Sequence, residues 1–142
     1  MENERVEEIS KGLSSENPKE RLKAVNKLTE IAVDLNAEDR KEVVKLLSSL
    51  AKDKEPFIRW NVAIALGKIG HKDAIPILEK MANDMHANVR FRVVRSLEND
   101  FHPDYKALEE FKQKIRIFPN KVHFHCYLAL HSRFRQELQI LS

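Results

Sequence analysis

Four side chains near the C-terminus have the chemistry of metal ligands or a nucleophile: His123, His125, Cys126 and His131. A structural zinc site needs four such ligands around a tetrahedron. The spacings here, His-x-His-Cys and then Cys-x4-His, match no standard finger. On a helix His123 and Cys126 share a face, while His125 points elsewhere. No metal and no cofactor is expected. Cys126 is the only cysteine, so no internal disulfide can form. As a nucleophile it would need an activating base, and the sequence offers it no evident partner and no Gly-rich turn. The chain is therefore expected not to be an enzyme. Two further sets of charges stand out. Asp53 with Arg59, and Asp84 with Arg90, repeat one spacing. Lys112, Lys114, Arg116, Lys121, Arg133 and Arg135 form a basic tail, interleaved with Phe118, Phe124, Tyr127 and Phe134.

The elements that must position these charges centre on residues 53–70, DKEPFIRWNVAIALGKIG. Pro56 suits the first turn of a helix, where its missing N–H costs nothing. Ile58, Val62, Ala65, Leu66 and Ile69 recur at helical spacing. Trp60, Ala63 and Ile64 make the opposite side apolar too, which predicts a helix buried on both sides. Gly70 supplies the left-handed residue that ends it.

The same stretch recurs along the chain. Thirty-one residues on, Asp84, Val89, Arg90 and Leu97 take the places of Asp53, Ile58, Arg59 and Leu66. Thirty-eight residues back, Ser15, Pro18, Arg21 and Leu28 take the places of Asp53, Pro56, Arg59 and Leu66. Ala74, Ile75, Ile77, Leu78, Met81 and Ala82 match Val43, Val44, Leu46, Leu47, Leu50 and Ala51. A period in the range of roughly 20–50 residues marks a stacked-repeat protein.

The pattern D-x5-R-x6-L followed by a second amphipathic helix resembles the HEAT repeat, and the period of 31 is similar to its short, bilin-lyase-like class. The resemblance covers roughly residues 15–116. It implies an all-α right-handed solenoid of about three HEAT-like repeats with a capping helix at each end. The expected units are an N-terminal cap helix at 1–14, repeats at 15–52, 53–83 and 84–116, and a degenerate repeat or C-terminal cap at 117–142. Within them, first helices are expected at about 19–34, with Leu22, Val25, Leu28 and Ile31/Ala32 inward, at 57–69 and at 87–97, and second helices from Asn36 to about Lys52, at 73–83 with Asp73 as its cap, and at 104–116. Ile115 stands where a further Asp would be expected. In the tail, Tyr127, Leu130, Phe134, Leu138 and Leu141 make a helical stripe suited to covering repeat three.

The resemblance also implies roles. Asp53, Arg59, Asp84 and Arg90 become a structural Asp–Arg ladder, since the family places this Arg inside the stack and a planar guanidinium matches a carboxylate. The second helices become the concave binding face. Its candidate residues are Lys41, Lys45, Lys52, Lys72, Glu79, Asn83 and Lys114. Their signs are mixed, whereas a nucleic-acid groove should show a basic stripe. HEAT-like enzymes such as deoxyhypusine hydroxylase use His-Glu pairs, and no His-Glu dipeptide occurs here; no bilin lyase residue set can be matched either.

Length and composition agree. The 142 residues make one domain, and few glycines and aromatics fit an all-helical chain. The net charge of +3 is uneven: residues 1–55 carry 11 basic and 13 acidic side chains, residues 56–110 carry 8 and 8, and residues 111–142 carry 6 and 1. No apolar run reaches the roughly 20 residues of a membrane span, and MENERVEEIS is acidic, unlike a secretory signal. The expectation is a cytoplasmic scaffold or adaptor that binds another protein. The alternatives are polyanion or nucleic-acid binding through Lys112, Arg116, Lys121, Arg133 and Arg135, and a lyase-like HEAT enzyme or subunit.

Overall fold

The computed structural model describes residues 2–101 together with 105, 106 and 109. Among these residues every regular element is helical: α1 (Glu2–Ser10), α2 (Pro18–Ala32), α3 (Ala37–Ser48), α4 (Pro56–Ile69), α5 (Ala74–Met81) and α6 (Ala87–Asn99), with a tight 3-10 turn at Lys11–Ser14. The helices form an α solenoid. Helices α2, α4 and α6 are the first helices of successive pairs and pack side by side, while α3 and α5 are the second helices and make few close approaches to each other.

Local chemistry sets the boundaries. Asn17 caps α2, its side chain accepting from the Lys19 N–H at 3.0 Å, and Pro18 follows in the first turn. Asn36 caps α3 by accepting from the Asp39 N–H at 2.9 Å. The Asp39 carboxylate answers by accepting from the Asn36 side-chain amide at 2.8 Å. Gly70 ends α4 with φ 66°, the left-handed geometry only glycine adopts without cost. Asp73 departs from expectation. It stands before α5 but makes no side-chain cap, because its backbone is already helical at φ −68° and ψ −15°. A capping residue needs an extended backbone to aim its oxygen at the first turn.

The core runs continuously between the layers. Val25, Leu28, Val43, Leu47, Ile58, Leu66, Ile69, Ile75, Leu78 and Leu97 are fully buried. Each such side chain contributes roughly 1.5–3 kcal/mol by leaving water. Val6 and Ile9 of α1 and Leu13 of the turn lie against the first pair. Arg40 ties the layers at the helix ends, donating to the carbonyls of Leu35 at 2.9 Å and Val33 at 2.6 Å. The Ser96 Oγ crosses from α6 to the Ala63 carbonyl of α4 at 3.0 Å. That close approach explains Gly67, whose missing Cβ would lie 2.9 Å from the Ser96 Oγ.

One expectation is overturned. Helix α4 is not buried all round. Ala63 is fully buried, but Phe57 and Trp60 stay 40% and 43% exposed. Among the described residues no helix packs over the outward side of α4. Leu22, placed inward by its spacing on α2, is only half-buried.

Candidate functional site

The Asp–Arg ladder is present, but its pairing runs one unit further along the chain than Asp53 with Arg59 and Asp84 with Arg90. The Arg21 Nε donates to the Asp53 Oδ2 at 2.8 Å and its Nη2 to the Oδ1 at 3.1 Å. Arg59 does the same to Asp84, at 2.7 and 3.1 Å. Each arginine therefore grips the aspartate of the following unit. Its third donor goes back to its own turn: the Arg59 Nη1 reaches the Asp53 carbonyl at 2.6 Å, and the Arg21 Nη1 reaches the Ser15 carbonyl at 2.9 Å. Each aspartate in turn holds the start of the next helix, accepting from the Glu55 N–H at 2.9 Å and the His86 N–H at 2.8 Å.

These rungs are well shielded. The side chains of Arg59 and Asp84 are 11% and 8% exposed. Burial alone would raise the Asp84 carboxyl, but hydrogen bonds from Arg59 and the His86 N–H outweigh it and hold Asp84 below the ordinary carboxylate range. The hydrogen bonds to Asp84 raise Arg59 above its already high value, so it stays charged throughout. Arg21 is the rung residue that pairing by position missed, because Ser15 stands where its own unit's Asp would be. Arg90 ends the described ladder. It donates to the carbonyls of Asp84 at 2.7 Å and Met85 at 3.0 Å, and among the described residues no carboxylate pairs with it.

Beside the ladder lies a cleft between α3 and α5. One part, about 530 Å³, is lined by Ser48, Lys52, Arg59, Ile77, Lys80 and Met85 among others. A second part, about 450 Å³, is lined by Lys41, Glu42, Val44, Lys45, Asp73 and others, and also touches Ser48 and Ile77. The shared residues join the two into one trough along the second helices. Of the candidates read from sequence, Lys41, Lys45, Lys52 and Asn83 border this trough. Lys72 is exposed just before α5, and Glu79 is half-buried on that helix; neither lines the trough. Lys80 and Met85 were missed because they fall outside the register columns of the expected face.

Lys112, Lys114, Arg116, Lys121, Arg133 and Arg135 lie outside the described residues, as do His123, His125, Cys126 and His131 and the proposed cap at 117–142. Among the described residues no group of three or more His, Cys, Asp or Glu is placed to hold a metal ion. No helix among them is long and apolar enough to cross a membrane.

No curated protein matches the sequence. Among solved structures, an engineered protein, target OR329 of the Northeast Structural Genomics Consortium, is similar in fold with a TM-score of 0.58 at 20% identity. The match covers 89% of this chain and 60% of that one, so this chain spans less than two-thirds of its neighbour's length. The family profile for HEAT repeats matches residues 6–114. That span is well over half of the chain and contains both Asp–Arg rungs, and the chain belongs to the HEAT-repeat family.

Proposed function

We propose that this chain is a protein-interaction scaffold without catalysis of its own, and that its partner lies along the trough between α3 and α5. HEAT repeats are typically protein-interaction scaffolds. The observation that carries the placement is the way charge is distributed in the trough. Its buried carboxylates, Asp53 and Asp84, are taken up by Arg21 and Arg59. Its rim is of mixed charge, with Lys45, Lys52 and Lys80 exposed alongside Glu38 and Glu42, above an apolar floor that includes Ala51, Ile77 and Met81. An elongated surface with an apolar floor and a polar rim has the anatomy of a protein interface.

The test is affinity capture from native extract with wild type and with Lys45→Glu/Lys52→Glu. The scaffold reading expects a protein partner captured by wild type and lost by the double variant at unchanged melting temperature. Retention of that partner by the variant overturns the placement. The nucleic-acid alternative would instead give nuclease-sensitive capture and a steep fall of log K with log salt.

A further inference from the structure

Phe57, Trp60 and Ile64 follow one another at i, i+3 and i+7 on the outward side of α4. Phe91 holds on α6 the place that Trp60 holds on α4, one helix spacing across. Phe57, Trp60 and Phe91 are 40%, 43% and 57% exposed, and Ile64 is half-buried. Singly exposed apolar residues are ordinary, but a contiguous aromatic set marks a contact surface. This surface lies on the first-helix layer, away from the trough between α3 and α5.

The charges nearest the aromatic set are mostly positive. The Arg95 guanidinium lies over the Phe91 ring, 5.7 Å from its centre. Lys19 and Lys23 of α2 and Lys68 of α4 are exposed on the same layer. Asp100 is exposed too, but it stands 3.9 Å from Arg92 and is offset by it. Glu20 and Glu30 of α2 are exposed carboxylates on the same layer, beside Lys23 and Lys27.

We propose that this face is a second docking site, whose occupant is an amphipathic helix of another protein with apolar residues on one side and acidic residues flanking them. The diagonal from Phe57 through Trp60 to Phe91 offers a stripe that fits the apolar side of a single helix. The arginine and lysines around it are matched by acidic flanks. A second copy of this chain fits poorly, because a two-fold contact would set Arg95 and Lys68 of one copy against the same cations of the other. Trp and Arg are also the side chains that most often dominate binding energy at interface centres. With the trough on the other layer, the chain would hold two partners at once, as an adaptor does.

Trp60 is the only tryptophan in the chain, so its emission reads this surface directly. The probe is a short synthetic helix with Leu on one face and Glu on the other, compared with a peptide carrying Lys in place of Glu. The Glu peptide is expected to give a saturable blue shift of Trp60 emission. Binding should weaken about tenfold or more with the Lys peptide and in Arg95→Glu. Phe91→Ser should also weaken it at unchanged melting temperature, since that ring is mostly in water. Lys45→Glu/Lys52→Glu should leave the shift intact, which separates this site from the trough. Four results would overturn the proposal. They are no shift with the Glu peptide, equal binding of both peptides, a shift produced equally by phosphatidylserine vesicles, and a shift that grows with protein concentration alone.

Discussion

Arg59 is the residue whose removal tests the ladder most directly. Arg59→Ala deletes two bonds to the Asp84 carboxylate and one to the Asp53 carbonyl. Asp84, whose side chain is 8% exposed with Arg59 in place, then keeps only the His86 N–H among these bonds. Breaking a buried pair by removing one partner costs about 3–5 kcal/mol. The retained His86 bond and the adjoining trough, which lets water approach, place the cost near the lower end, at about 3 kcal/mol. The informative measurement is a double-mutant cycle by urea unfolding at neutral pH. The geometry requires Arg59 to couple to the Asp84 side chain by about 1–3 kcal/mol. It requires a weaker coupling to the Asp53 side chain, because Arg59 hydrogen-bonds only that residue's backbone carbonyl and feels its carboxylate through space. Equal coupling to both aspartates, or a coupling to Asp84 below about 0.5 kcal/mol, would refute the cross-unit pairing.

Three further outcomes are expected. The folded Asp84 carboxyl lies below its unfolded value, so its contribution is fully present above about pH 4 and drains away as pH falls through the folded value. Melting curves should therefore show wild type losing more stability on acidification than Asp84→Asn, and parallel losses would contradict this. Gly67→Ala should lower the melting temperature, because its Cβ would meet the Asp100 carboxylate and lie 2.9 Å from the Ser96 Oγ. That overpacking costs about 1–3 kcal/mol, against roughly 1 kcal/mol of helix propensity gained; an unchanged melt would mean that α6 shifts freely. For the proposed cap, truncation after Arg116 should lower the melting temperature and promote self-association, and an unaltered melt would count against it.

Much of the fold could be read from single residues with fixed backbone demands. Pro56 and Gly70 bracket α4 as their chemistry requires, and Asn36 starts α3. Apolar periodicity located Leu28, Leu47, Ile58, Leu66, Leu78 and Leu97, all fully buried. Four features were hidden for physical reasons. Register gives an arginine's place within its unit but not which neighbour its long side chain reaches, so the Arg59–Asp84 rung was set one unit short. Apolar composition records what a face could bury, not whether a layer exists to cover it, so Trp60 was placed inside. The identity of Asp73 suggested a cap, but capping depends on a backbone angle that the residue type does not dictate. The trough residues Lys80 and Met85 depend on the separation of α3 and α5, a packing outcome with no local signature.

The ladder also bears on how such a chain can grow. Residues 53–83 carry both halves of a coupling: Asp53 receives the arginine of the unit before, and Arg59 reaches the aspartate of the unit after. What one edge of this block accepts is what its other edge offers. A tandem duplicate inserted after residue 83 would meet Arg59 with its own aspartate and present its own arginine to Asp84. The block is thus interchangeable stock, and the chain can be lengthened in whole steps of 31 residues with no new contact to invent. Extra residues between the paired helices of a unit leave the rung intact, since Arg21 and Asp53 pair across 32 residues and Arg59 and Asp84 across 25.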